Sequence, residues 1–322
     1  HIMANYPTQN EIRYWSAYAI DIFDSIMPYI DKPYPSIHIA TAKTFQAMRA
    51  ELVEQTGCTH TEIEEAEAAE AAIMEYIHGK KGQAILIRQN LIPGRDEYHF
   101  YSMLWHELGH FYAINSELTD LKRYSNPGVV DDSRNIELTD EGPVMGMSDE
   151  RLKQEGYWFW QEFIAEAISK YVSYKYRSAG PDYHPELIEW TPDIWYDVED
   201  RLMDHLKNAL CYHQFTIDEY SLAHYFANLL TDDFVLLYVK AAADEKLMIY
   251  DEDGRTVVYP NEPIEPTCIS DIQSTKIQQA LWDIKKFLEQ QVAKDQFWMI
   301  NENFLLDIGT CIGQMMFHKI VK

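Results

Sequence analysis

Residues 106–110 read His-Glu-Leu-Gly-His, two imidazoles four positions apart with a carboxylate beside the first. On a helix, positions i and i+4 share a face, so both rings can turn toward one metal ion while Glu107 leans over a water bound to it. That is the donor set of metal-assisted hydrolysis, with a cation to polarise a carbonyl and a base to take a proton from water. A catalytic zinc usually has three protein ligands and one open position, which demands a third donor from elsewhere in the chain. The segment Trp160-Gln161-Glu162-Phe163-Ile164-Ala165-Glu166-Ala167 offers two. Glu162 and Glu166 are again i and i+4, on a different face from the apolar set Phe163, Ala167, Ile168 and Tyr171. One of these carboxylates can bind the metal while the other orients a ligand histidine by accepting from its ring.

Such residues need a frame, and the apolar spacing describes one. Tyr101, Leu104, Trp105, Leu108, Phe111 and Tyr112 step by three and four, which predicts a helix from about Asp96 to Ile114 with one packed face and one face free for chemistry. A strand, Ala84 to Arg88, precedes it, and a second helix from about Glu155 to Tyr176 carries the two glutamates. Upstream, the pattern predicts a helix over 11–30, a strand over 36–40, a helix to about Gln55 and an acidic helix from Thr61 to His78 that Gly79 and Gly82 end. Residues 115–150 lack periodicity and read as a long loop. Beyond Pro181 the chain reads as mostly helical, with a β-hairpin at about 246–259 around Asp251-Glu252-Asp253-Gly254. The expected organisation is a catalytic domain over 3–180 and a helical region over 181–322, separate or continuous with it.

The helix HELGH followed 52 residues later by EFIAEA resembles the glutamate-type zincin metallopeptidases. The EFIAEA segment is similar to the glutamate helix of the anthrax lethal factor protease domain, and antirestriction-type zincins carry a related pair of motifs. The resemblance covers about residues 84–172. It implies that His106, His110 and Glu162 are ligands of Zn2+, that Glu107 is the general base and that Glu166 supports the ligand set from behind. It also implies a tyrosine upstream of the glutamate helix that stabilises the oxyanion, for which Tyr157 is the nearest candidate, at a spacing unlike that of lethal factor. The expected fold is α+β and mostly helical, a zincin core whose small sheet, including Ala84 to Arg88, packs on the active-site helix. In this family the strand before that helix often lies along the cleft, where a peptide can bind by strand addition. The expected function is peptide-bond hydrolysis; the alternatives are a zincin-fold binding or regulatory module, or hydrolysis of a non-peptide amide.

Composition narrows the partners. Of 322 residues, 52 are Asp or Glu against 27 Lys or Arg, a formal charge of −25 that repels phosphate backbones and anionic lipids. Nucleic acid and membrane surfaces are excluded on that reading, and a peptide or protein substrate with cationic residues suits it. The acids Asp131, Asp132, Glu137, Asp140 and Glu141, between the two motif helices in sequence, would favour Lys or Arg near the scissile bond. Four scattered cysteines and no visible signal or membrane-spanning run lead to the expectation of a cytoplasmic protein. The aromatic run Tyr157 to Trp160 reads as core, and His99, His184, His205, His213 and His224 as ordinary structural or surface histidines. No Gly-x-Ser-x-Gly or phosphate-binding glycine loop is present.

Overall fold

In the computed structural model, the described residues are 7–58, 74–88, 97–116, 121–125, 135–139, 142–146, 148–178, 249–250, 256–257, 275–292, 294, 296–316 and 319–321. Among them the protein is α+β and mostly helical, as the sequence predicts, with six α-helices, two small mixed sheets of three strands each and a two-stranded hairpin. The chain divides into two compact units, residues 1–117 with 168–173, and residues 118–167 with 174–322. The expected boundary near 180 falls outside the described residues.

The first unit opens with α1 (Gln9–Ile26), started by a capping box. Thr8 Oγ1 accepts from the Glu11 amide at 3.3 Å, and Glu11 Oε2 accepts from the Thr8 amide at 2.6 Å. It stops at Met27, which is extended (φ −97°, ψ 159°), as a residue before proline prefers. Strand β1 (Ser36–Ala40) and helix α2 (Phe45–Thr56) follow. Gly57, at φ 65°, takes the left-handed turn that ends α2, and the Cys58 amide reaches back to Val53 O at 3.0 Å.

Strands β2 (Met74–His78) and β3 (Gln83–Arg88) form an antiparallel hairpin, while β1 lies parallel to β3 with Ser36 opposite Ala84. This corrects the sequence reading, in which the acidic helix runs to His78. Gly79 and Gly82 close a turn, the Gly79 amide donating to Gly82 O at 3.0 Å, rather than ending a helix. The five residues Met-Glu-Tyr-Ile-His are too short a run to stand out beside the glutamate-rich stretch before them, and their pairing with β3 decides their conformation. Residues 59–73, the rest of the expected helix, lie outside the described residues.

The sheet order is β1-β3-β2, so the strand before the motif helix is the central one. Ala84, Ile85, Leu86 and Ile87 are each at most 1% exposed, the continuous apolar run of a strand covered on both faces. One face meets α2 through Ala40, Phe45, Leu52, Ile77, Ala84 and Leu86. With both edges of β3 already paired, strand addition to it, expected from the sequence, has no place to occur; among the described residues β2 has an unpaired edge. Helix α3 (Glu97–Asn115) packs on β2 and on α1. Trp105 Nε1 donates to Trp15 O at 3.2 Å and Tyr112 Oη to Asp24 Oδ1 at 2.6 Å, tying α3 to α1 at both ends of the contact.

In the second unit, a 3-10 turn (Lys122–Ser125) precedes strands β4 (Asn135–Thr139) and β5 (Gly142–Gly146), which pair antiparallel with Thr139 opposite Gly142. The sequence reading of 115–150 as one loop is therefore corrected: Pro143 and two glycines disguise β5, whereas Ile136 and Leu138 alternate as a strand should. Helix α4 (Asp149–Ser178) begins a turn and a half earlier than expected, at the Ser148 cap, whose Oγ accepts from the Arg151 amide at 3.2 Å. Strands β6 (Ile249–Tyr250) and β7 (Thr256–Val257) form the expected hairpin. Helices α5 (Thr275–Val292) and α6 (Glu302–Met316) pack together, and β8 (Lys319–Val321) joins β5 in parallel. No helix among the described residues is long and apolar enough to cross a membrane.

Helices α4 and α6 touch backbone to backbone at two glycines. A Cβ on Gly156 would stand 2.0 Å from Leu305 O, and one on Gly309 would stand 1.8 Å from Leu152 O. Gly309→Ala is expected to cost roughly 3 kcal/mol or more in denaturant unfolding, since neither carbonyl can move without its helix. Gly82→Ala, where a Cβ meets nothing within 4 Å, is expected to change stability by less than about 0.5 kcal/mol.

Candidate metal centre

Helix α3 is buried along most of its length: Tyr101, Leu104, Trp105, Leu108, Phe111 and Tyr112 are each at most 1% exposed. Among the positions whose burial is described, Ser102, Met103, His106, Glu107 and Asn115 are partly exposed, and the first four fall on one stripe. His106 and His110 stand one turn apart on it. Their rings meet edge to face at 88°, and the two Nε2 atoms approach to 3.0 Å. Both tips thus point at one locus.

Helix α4 is covered on nearly every side from Gln154 to Ser169, with Glu166 the half-buried exception. Within the first unit, Ser169 Oγ donates to Ser102 O at 2.8 Å, one turn before His106. Glu162 lies two turns back from Ser169 on the same helix and is 1% exposed. One ligand atom from each of His106, His110 and Glu162 lies within 4.8 Å of the other two, and among the described residues this is the one such grouping able to hold a metal ion.

The donor set fits a zinc ion. Donor atoms about 2.0–2.2 Å from one zinc stand roughly 3.4 Å apart in a tetrahedron, close to the 3.0 Å between the two Nε2 atoms. Two imidazoles and one carboxylate suit zinc better than magnesium or calcium, which prefer oxygen donors.

The other sequence-predicted residues are placed as follows. Glu107 sits on the half-exposed stripe next to His106, outside the three-residue grouping. Glu166 stands one turn beyond Glu162 and is also outside it. Tyr157 is 0% exposed, with its ring 6.3 Å from that of Tyr124, and five residues before Glu162 it faces about 140° away on the helix. The aromatic run is core as expected, Tyr157, Trp158, Phe159 and Trp160 all being buried. His99 lies on α3 with its side chain outside the described residues, as do His184, His205, His213 and His224 altogether.

Sequence reasoning missed Tyr76 on β2. Its ring stacks on that of His110, with centroids 6.4 Å apart and planes 10° from parallel. The alternation of Tyr76 and His78 on one strand face is the signal, and their rings do stack at 5.5 Å. Reading these residues as the end of a helix hid it.

Burial pushes the Tyr157 hydroxyl up to about 12, against a smaller opposing pull from Gln161. A pKa raised on folding leaves its stability contribution complete below the unfolded value near 10 and removes it as pH rises through about 12. Tyr157→Phe is therefore expected to lose less stability than wild type between pH 10 and 12, by roughly 2–3 kcal/mol, in unfolding titrations at stepped pH. No protein family, no curated protein and no solved structure matches this chain.

Proposed function

We propose that the chain is a zinc-dependent metallopeptidase with a zincin core, in which His106, His110 and Glu162 hold the ion. The observation that carries this reading is the grouping of those three side chains on α3 and α4, with a carboxylate placed next to the first histidine. The same positions carry the resemblance to glutamate-type zincins, which supports the same ligand set.

Zinc, when bound, supplies Lewis acidity that polarises a scissile carbonyl and acidifies water. The protein's own residues do the rest. Two neutral imidazoles and one carboxylate leave a bound dication with net positive charge. Glu107, one residue from a ligand and half exposed, is placed to take a proton from the attacking water and return it to the leaving amine. Glu166, one turn from Glu162, supports the ligands by accepting a hydrogen bond. The orientation of Tyr157 adds no support to its role at the oxyanion.

A peptide substrate adds as a strand to the edge of β2 that is unpaired among the described residues, rather than to β3, which is central. The excess of 25 negative charges supports substrates with Lys or Arg near the cut. The protein acts away from nucleic acid and membrane surfaces.

The decisive experiment measures zinc by elemental analysis beside hydrolysis of a peptide library. Wild type is expected to hold about one zinc per chain. Glu107→Gln is expected to keep it while activity falls by about 10²–10⁴. Glu162→Ala is expected to lose the metal and Glu166→Ala to retain it. A Glu107→Gln protein that cuts peptides at the wild-type rate would sink the mechanism.

A further inference from the structure

The ring of Tyr76 does more than fill space beside the candidate metal centre. It lies against the His110 imidazole, 6.4 Å between centroids and 10° from parallel, within the range where offset aromatic faces attract. Its own position is fixed from the opposite end. The Tyr76 hydroxyl donates to Gln83 Oε1 across the β2–β3 hairpin. Asn115 Nδ2 donates to Gln83 Oε1 at 2.9 Å, approaches Tyr76 Oη at 3.4 Å and donates to Phe111 O at 2.8 Å. Asn115 lies on α3, five residues beyond His110, so the helix that carries the histidine also anchors the clamp on the tyrosine. The His78 ring also stacks on that of Tyr76, at 5.5 Å and 20°.

A metal ligand needs both its direction and its plane fixed. A hydrogen bond at the second ring nitrogen sets direction but lets the imidazole tilt about that bond, whereas an aromatic face laid along it restrains the tilt. The 3.0 Å approach of the two Nε2 atoms depends on that tilt, because the His106 ring stands at 88° to the His110 ring. We propose that Tyr76 is a positioning residue that holds the plane of His110 for metal binding, with Gln83 and Asn115 holding Tyr76. This rests on the reading of His110 as a metal ligand.

The test measures zinc dissociation constants by competition with a chromophoric chelator, together with the visible spectrum of the cobalt(II)-loaded protein. Wild type is compared with Tyr76→Leu, Tyr76→Phe and Asn115→Ala, and thermal melting of each metal-free protein reports folding. Tyr76→Leu is expected to weaken zinc by about 10–100-fold and to alter the cobalt spectrum. Asn115→Ala, which leaves the Tyr76–Gln83 hydrogen bond in place, is expected to weaken zinc by a few-fold. Tyr76→Phe keeps the aromatic face but gives up the hydroxyl anchor, and is expected to fall between Asn115→Ala and Tyr76→Leu in both readouts. Tyr76→Leu with wild-type affinity and spectrum overturns the positioning role alone, as does Tyr76→Phe falling as far as Tyr76→Leu. If Tyr76→Leu fails to fold, Asn115→Ala decides, and unchanged affinity there overturns the role. A wild-type protein that takes up no zinc overturns the metal reading and the positioning role together.

Discussion

Two histidines one helical turn apart are useful only if the helix beneath them does not rotate, and the burial of α3 meets that condition. Six large apolar side chains on it are essentially removed from water, each contributing on the order of 2 kcal/mol relative to exposure. Rolling the helix by one position, about 100°, would bring several of them toward solvent and carry both imidazoles away from their common locus. The polar links to α1, from Trp105 and Tyr112, sit on the buried face and add direction to what apolar burial alone leaves loose. Of the motif's polar residues, His106 and Glu107 lie where packing leaves the helix partly uncovered, while His110 is itself buried.

The parts of this arrangement that were legible in the sequence are those with many repeats of one period. Over nineteen residues α3 repeats its spacing often enough to be unmistakable, and the polar motif falls where the apolar stripe is absent. The run Ala-Ile-Leu-Ile announces β3 for the opposite reason, being apolar without alternation, as a strand covered on both faces must be. The hairpin of β6 and β7 was visible in its turn residues. Short strands were not. β2 offers five residues beside a glutamate-rich stretch with high helix propensity, and β5 contains a proline and two glycines. In each case the partner strand, distant from any local signal, supplies the preference.

The site was legible to the same extent. The spacing His-Glu-x-x-His needs only a helix to make sense, and Glu162 with Glu166 needs only another. Tyr76 could not be found that way, because its relation to His110 is created by a sheet edge meeting a helix, a juxtaposition with no sequence period. Of its neighbours in the clamp, Gln83 comes from β3 and Asn115 from the same helix as His110.

The glycine contact between α4 and α6 bears on Glu162 from a distance. Where two helices meet through side chains, each can creep along the other by small rotamer adjustments. Where they meet carbonyl to bare Cα, as at Gly156 and Gly309, sliding is blocked in both directions, much as a key fixes a shaft. Glu162 stands six residues along from Gly156, about 9 Å of rigid helix. The axial coordinate of that carboxylate is thereby tied to main-chain atoms remote from it as well as to the side chains that surround it.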